Sequence, residues 1–219
     1  MGAFYGLSQY FSNGIINKAI ELRYSEPNIL ILTGDEFSLR NKYPDVWRCL
    51  ISCEHQRDRR HPMEYGRDLV SSWVFEDCII GSLRDAGLDV RHNGADKERQ
   101  VLPHNNVTTD SDAVLIVNGI CIPMEIMCDY TRYWTSSGSI DLRDNKYHRL
   151  KNSKSLFLGF STVDNTVVIL DFSKDLEYRY IEYHTAYGGK PVYSVKIPED
   201  SIHPFEIDDM IGLIKSIIN

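Results

Sequence analysis

Residues 108–129 read TTDSDAVLIVNGICIPMEIMCD, and this stretch decides the fold. Two apolar runs, AVLIV and ICIPMEIM, flank Asn118-Gly119, a dipeptide typical of a two-residue hairpin turn. Asp112 precedes the first run and Glu125 lies inside the second. An acid inside a buried strand is costly unless a cation or hydrogen bonds compensate it. The hairpin puts both acids on adjacent strands, about one residue from directly opposite, where they are close enough to share a divalent metal ion. A hairpin with polar residues at its solvent end explains the same spacing.

The segment before the hairpin carries a third acid in an apolar context. Residues 66–87 have a helical period that ends at a glycine, with an apolar stripe of Leu69, Trp73, Ile80 and Leu83. At about 100° per residue, Glu76 falls in the middle of this stripe. Two interpretations remain open: Glu76 pairs with a basic residue, or it points to the same site as Asp112 and Glu125.

Composition limits the class of protein. With 219 residues, of which 42% are hydrophobic and 25% charged, the chain resembles an ordinary globular protein with a substantial core. No apolar run has the length of a membrane span, and the first residues lack the pattern of a secretory signal, so we expect no membrane association. The net charge of −7 argues against nonspecific coating of nucleic acid but leaves a nuclease possible.

The five cysteines form no paired CxxC motif of a zinc site. An odd number of cysteines within apolar segments indicates buried free thiols in a reducing compartment, and we expect a cytoplasmic protein.

Apolar patterns along the rest of the chain predict one α/β domain with a mixed sheet. Helices are expected at 4–24, around 45–53, and at 66–87, 144–152 and 204–218. Strands are expected at 28–33, 89–93, 155–161, 166–172, 178–183 and 191–197, with a loop at 54–62. Residues 1–65 are predicted to form an extension packed on a core of residues 66–219.

This order of elements resembles the PD-(D/E)XK nuclease superfamily, which includes restriction endonucleases, archaeal Holliday-junction resolvases and related viral nucleases. The resemblance covers roughly residues 66–175 and is carried by GRDLVSSWVFEDCIIGSLRDAGLDV, SDAVLIV and PMEIMCD. It implies a restriction endonuclease-like α/β fold, in which helices flank a mixed central β-sheet.

The resemblance also implies a metal-dependent endonuclease that hydrolyses DNA phosphodiester bonds. Asp112, Glu125 and the Ile126 carbonyl would bind Mg²⁺ or Mn²⁺, Glu76 would serve a second metal or its water, and Asp129 would lie in the outer shell. The expected substrate is duplex or branched DNA, with a slight preference for structure-selective cleavage, and the expected assembly is a homodimer. The alternative is a catalytically silent DNA-binding or scaffold protein of the same fold.

Met127 stands where the superfamily carries its catalytic lysine. A thioether neither orients the attacking water nor stabilises negative charge on a phosphate. Three explanations remain open: a downstream cation (Lys146, Arg132 or Lys151) replaces the lysine, Met127 is an inactivating substitution, or the protein has lost catalysis. We include Lys146 among the candidate catalytic residues.

Two basic segments are candidates for DNA-backbone contacts, RDRRH at 57–61 and KYHRLKNSK at 146–154. The predicted nucleic-acid-binding residues in and beside them are Arg57, Arg59, Arg60, Arg132, Lys151 and Lys154. Either segment is equally compatible with a solvated surface.

Overall fold

The computed structural model describes residues 13–57, 61–94, 97–103 and 110–218, without the side chains of residue 13 and residues 53–57. Its helices are α1 (Asn13–Glu21), α2 (Glu26–Thr33), α3 (Glu36–Lys42), α4 (Pro44–Arg57), α5 (Pro62–Asp85), α6 (Tyr133–Ser137), α7 (Asp144–Asn152) and α8 (Ile207–Ile218). Its strands are β1 (Asp89–His92), β2 (Ala113–Val117), β3 (Ile120–Asp129), β4 (Ser139–Arg143), β5 (Leu156–Ser161), β6 (Thr166–Asp171), β7 (Tyr178–His184), β8 (Lys190–Lys196) and β9 (Ile202–Pro204).

The fold is α/β, with a six-stranded mixed sheet flanked by helices. The strand order is β1-β2-β3-β5-β6-β9, in which β3 and β5 pair in parallel and β2–β3, β5–β6 and β6–β9 pair antiparallel. The parallel pair follows from the crossover through α6, β4 and α7 between β3 and β5. A second, antiparallel sheet has the order β4-β8-β7 and was not predicted as a separate sheet.

The chain divides into two compact units. Unit one holds Ser82–Arg91 and the described chain from Ser111 onward, and therefore nearly all of both sheets. Unit two holds the described residues up to Gly81 and those from His92 to Asp110. The boundary predicted between residues 65 and 66 lies inside α5, whereas the division falls after Gly81 of the same helix.

The hairpin at Asn118-Gly119 is confirmed, but its predicted register is wrong. Both turn residues have positive φ, 50° at Asn118 and 80° at Gly119, as a two-residue turn of mirror-image type requires. The loop therefore consists of these two residues alone, and Val117 pairs with Ile120. The pairing ends with Ala113 opposite Met124, and this register carried one residue outward sets Asp112 against Glu125 without the predicted offset of one residue.

One face of the large sheet, the short helices and the second sheet share an apolar core in unit one. Its buried residues are Trp134, Ile140, Leu142, Tyr147, Leu150, Phe157, Val168, Leu170, Phe172, Val195 and Ile197. Helix α7 contributes Tyr147 and Leu150, which anchor it between strands of both sheets. Met127 also packs against this core.

The strand predicted at 28–33 is wrong, because these residues lie in α2. Pro27 in the first helical turn and Gly34 in the left-handed conformation at the C-cap supply start and stop signals. A short, wholly apolar run has no period of its own, so these flanking signals decide between strand and buried helix.

Other boundaries differ from the predictions. The first residues of the predicted loop 54–62 are helical, since α4 extends to Arg57. The C-terminal helix begins at Ile207 rather than 204, because residues 202–204 form β9 against β6. Of the helix predicted at 4–24, residues 4–12 lie outside the described residues, and α1 covers residues 13–21.

No disulfide joins Cys49, Cys78, Cys121 or Cys128 in the described structure, and the side chain of Cys53 lies outside it. Cys78 is buried, and burial raises the pKa of its thiol to about 12, whereas Cys121 is exposed, contrary to the expectation of burial. None of the helices in the described part of the chain has the length and apolar character that a membrane crossing requires.

Gly159 on β5 tests the packing of the unit-one core. A Cβ at this position would meet ring atoms of Trp134 at 2.7 Å and Phe157 at 2.8 Å. We expect Gly159→Ala to lower the free energy of unfolding by about 1–3 kcal/mol through overpacking. Gly212→Ala in α8 is the matched control, because its Cβ meets nothing within 4 Å, and we expect a gain of about 0.5–1 kcal/mol. Urea denaturation of both variants measures the difference, and a destabilised Gly212→Ala with an unaffected Gly159→Ala would contradict this packing.

Candidate functional site

Asp112 and Glu125 form the centre of the candidate site. Glu125 lies on β3, and Asp112 directly precedes β2, one position beyond Ala113 opposite Met124, the last pair of the hairpin register. The Ile126 backbone N–H donates to Asp112 Oδ2 at 2.7 Å, which fixes the first carboxylate against the second strand. The hairpin therefore brings together the two acids that the sequence predicts as a pair.

Two cations hold the carboxylate of Glu125. Lys146 Nζ lies 2.5 Å from Glu125 Oε1, and Arg149 Nη2 lies 2.7 Å from Oε2. The side chain of Glu125 is only 5% exposed, while those of Lys146 and Arg149 are 27% and 22% exposed. Charge-assisted hydrogen bonds of this length offset the cost of burying the carboxylate.

Helix α7 positions both cations because of its residue spacing. Tyr147 and Leu150 face the core, and Lys146 and Arg149, three residues apart, lie on the neighbouring face toward Glu125. Lys146 was a predicted catalytic residue, whereas Arg149 was missed. The signal for Arg149 was present in the sequence, since it is one turn beyond Lys146 on the same side of the predicted helix.

Met127 lies two residues beyond Glu125 on β3, and its side chain packs against the apolar core of unit one. The strand position where the resemblance places a lysine therefore contributes packing and no charge. The positive charge beside the second acid comes from α7, as one of the three explanations for Met127 predicts.

The carboxylate of Asp129 accepts hydrogen bonds from the residues that directly follow β3. Its Oδ1 accepts hydrogen bonds from the Thr131 backbone N–H at 2.8 Å and the Thr131 hydroxyl at 2.7 Å. Its Oδ2 accepts from the Trp134 N–H at 2.9 Å, in the first turn of α6. These bonds show that Asp129 caps the chain that leaves β3, and its outer-shell role stays a prediction.

Glu76 belongs to unit two and pairs with a basic residue, the first of the two interpretations open for it. Arg99 Nη1 donates to Glu76 Oε2 at 2.9 Å, and Arg99 Nη2 lies 2.5 Å from Asp77 Oδ1. The hydroxyl of Tyr24 donates to Asp77 Oδ2 at 2.5 Å. Burial and the charge of Asp77 raise the pKa of Tyr24, so its proton stays in place. Convergence of Glu76 with Asp112 and Glu125 stays a prediction.

The donor set at the hairpin suits a hard cation. Two carboxylates on opposite strands and the Ile126 carbonyl are oxygen ligands of the kind that Mg²⁺ and Mn²⁺ prefer. Among the residues that the structure describes, no three His, Cys, Asp or Glu side chains are grouped to hold a metal ion. A metal bound here would share Glu125 with Lys146 and Arg149.

The predicted DNA-binding residues lie in different surroundings. Arg132 pairs with Asp164 at 2.6 Å, and Lys151 pairs with the exposed Asp175 at 2.9 Å. Lys154 is exposed at the end of α7. Arg59, Arg60 and the side chain of Arg57 lie outside the described residues.

Comparison of the chain with protein-family models and with the curated proteins gives no match. The resemblance to the nuclease superfamily therefore stays an expectation from the residues.

The ion pairs of Glu125 generate a stability prediction. Glu125→Ala leaves Lys146 and Arg149 partly buried without a counter-charge, and we expect the free energy of unfolding to fall by about 2–4 kcal/mol, less than for fully buried pairs. Glu177→Ala is the matched control, since it removes an exposed pair with Lys196 and should cost less than about 1 kcal/mol. Urea denaturation measures both values, and equal losses would show that the two cations do not hold Glu125.

Proposed function

We propose that the protein is a metal-dependent endonuclease that hydrolyses DNA phosphodiester bonds with a PD-(D/E)XK-type site. The observation that carries the proposal is the position of Glu125, held by Lys146 and Arg149 and adjacent in the strand to Ile126, whose N–H binds Asp112. Glu125 with its two cations, next to Asp112 bonded at the Ile126 N–H, would combine ligands for a metal ion with donors for a phosphate.

The acids are the proposed metal ligands. Asp112, Glu125 and the Ile126 carbonyl would hold Mg²⁺ or Mn²⁺, which supplies Lewis acidity to the phosphodiester and lowers the pKa of the attacking water. The hydrogen bond from the Ile126 N–H keeps Asp112 oriented toward the second strand.

Lys146 is proposed to take the part of the lysine that Met127 replaces. Its ammonium reaches Glu125 from α7 rather than from β3. From there it would orient the attacking water and stabilise negative charge on the phosphate. With Lys146 in this role, the site keeps a positive charge although methionine occupies the strand position. Met127 then fills space in the apolar core.

Arg149 is proposed as a second phosphate contact. Nη2 donates to Glu125, while the buried Nη1 has no hydrogen-bond partner among the described residues. The side chain as a whole is 22% exposed, and the planar fork of a guanidinium matches the geometry of a phosphate, so its exposed part is the proposed contact. A metal ion bound by Glu125 would neutralise part of the negative charge of that carboxylate and weaken its ion pairs with Lys146 and Arg149. Their N–H groups would then be available to a substrate phosphate.

The proposed partners are duplex or branched DNA and a second copy of the chain. Cleavage of both strands of a duplex or of a junction needs two sites, which a homodimer provides. Arg132, Lys151 and Lys154, with Arg57, Arg59 and Arg60, are the proposed contacts to the DNA backbone. The proposed location is the cytoplasm, which agrees with the free cysteines of the described residues.

The rival function is DNA binding or scaffolding without catalysis. The observation in its favour is Met127, whose apolar packing leaves no lysine on the strand that carries Glu125. The two functions differ in the response to metal, because only the nuclease turns over DNA.

We expect the purified protein to cleave plasmid or branched DNA in Mg²⁺ or Mn²⁺ and to stop when EDTA removes the metal. Asp112→Ala and Glu125→Gln should abolish cleavage, and Lys146→Ala should lower the rate by about 10²–10³-fold, as the loss of one charge-stabilising donor does elsewhere. Gel assays of single-turnover cleavage measure these rates. Glu21→Ala, which removes an exposed ion pair with Lys18 in α1, is the control expected to keep the wild-type rate.

Calorimetric titration of Mn²⁺ tests the proposed metal site directly, and combined with the cleavage assay it separates the two functions. The nuclease predicts metal binding that Asp112→Ala and Glu125→Gln weaken. Metal binding without cleavage in the wild type, with cleavage gained by Met127→Lys, would establish the silent relative instead.

A further inference from the structure

An exposed aromatic surface lies on the second sheet beside α7. It consists of Tyr178, Tyr180, Tyr193 and His148, and its innermost ring, Tyr193, stacks on the buried Tyr147 at 4.0 Å with an interplanar angle of 5°. Tyr178 and Tyr180 each lie 5.1 Å from Tyr193, tilted by 61° and 60°. His148 lies 5.2 Å away, and its Nε2 is 3.2 Å from the Tyr193 hydroxyl. The rings therefore support one another in fixed orientations.

The outer rings of the aromatic surface remain in contact with solvent. Tyr178 is 51% exposed and Tyr180 is 49% exposed. They are two residues apart on β7, which is an edge strand of its sheet, so their rings stand on the same face. Packing in the apolar core explains why Tyr147 is fixed. It does not explain why Tyr178 and Tyr180, which are half-exposed, stand next to each other on the same face of β7. Preformed, exposed aromatic groups of this kind are typical of binding surfaces.

One turn of α7 joins the aromatic surface to the candidate site. In the sequence Lys146-Tyr147-His148-Arg149, the first and last residues contact Glu125, and the middle two contact the ring of Tyr193. A helix is only about 10–12 Å wide with its side chains, so the aromatic surface begins within about that distance of the two cations. A single strand of nucleic acid can therefore contact both.

The charge of this part of the chain favours an anionic partner. Residues 139–196, which contain α7 and all of the second sheet, have nine basic and seven acidic residues, a net charge of +2. The whole chain carries −7, so the remainder is strongly acidic. A locally positive segment that also presents exposed rings matches the combination with which proteins hold single strands, backbone attraction together with base stacking.

We propose that the aromatic surface stacks unpaired bases of the DNA strand whose phosphate lies at Lys146 and Arg149. The inference rests on the proposed endonuclease function and narrows its substrate to DNA with unpaired bases beside the cleaved bond, such as a branch, flap or single-stranded end. In an intact duplex each base is covered on both sides by its neighbours, so only an unpaired base offers a free face to Tyr178 or Tyr180.

Binding in EDTA tests the surface without cleavage. We expect Tyr178→Ala and Tyr180→Ala each to raise the Kd for a fluorescent single-stranded oligodeoxynucleotide by about 5- to 150-fold, the range for one lost stacking contact. Tyr178→Phe and Tyr180→Phe keep the ring and should stay within about twofold of the wild type. Tyr183→Ala is the matched control, an exposed tyrosine on the same strand, and should leave the Kd within about twofold. Thermal unfolding verifies that each variant is folded.

Several outcomes would overturn the inference: unchanged affinity of the alanine variants, equal losses on a blunt duplex of the same sequence, a preference for the matching RNA, or no binding of single-stranded DNA. Plasmid and branched-DNA cleavage by the same variants keeps the two proposals distinct. Cleavage by a protein whose DNA affinity does not depend on the tyrosines would contradict the proposal for the aromatic surface and leave the proposed nuclease activity standing. If the wild-type protein cleaves no DNA but binds single strands with an affinity that depends on the tyrosines, the proposed nuclease activity is wrong and the aromatic surface still stands as a binding site.

Discussion

A carboxylate buried in a β-strand needs compensation, and the way Glu125 obtains it constrains much of unit one. Lys146 and Arg149 reach the carboxylate only if α7 lies against β3 on the face of the sheet where Glu125 points. That position is fixed in turn by Tyr147 and Leu150, which pack between strands of both sheets. The ion pairs and the apolar core therefore require the same placement of one short helix, and each would be strained by a change in the other.

Helix α7 also explains why a methionine is compatible with the proposed site. A strand lysine beside Glu125 would have to share a core face with aromatic residues such as Trp134 and Phe157. With the cations supplied from the helix, Met127 fills that space and the core gains an adaptable apolar side chain. The second sheet completes the arrangement, because its tyrosines pack on the opposite side of the same helical turn.

The features predicted well from the sequence are those set by local chemistry. The Asn118-Gly119 turn, the long helix that ends before Gly87 and the position of α7 all follow from turn residues, stop signals and apolar period. The strand predicted at 28–33 is wrong because this apolar run has no period of its own, and only the flanking Pro27 and Gly34 mark it as a helix. The second sheet joins β4 to strands far along the chain, which no local pattern encodes. Arg149 was missed although helical geometry places it about 60° from Lys146, whereas Lys151 lies about 140° away and pairs with Asp175 instead.

The dependence on α7 has a consequence for local stability. A helix of nine residues does not persist alone in water, so it exists here only while Tyr147 and Leu150 remain docked. Opening of such a segment costs less free energy than unfolding the sheet that supports it. The proposed site would then be dismantled by a local fluctuation that separates both cations from Glu125 while leaving the hairpin and its acids intact. Hydrogen exchange of the α7 amides would report the fraction of molecules that carry an assembled site.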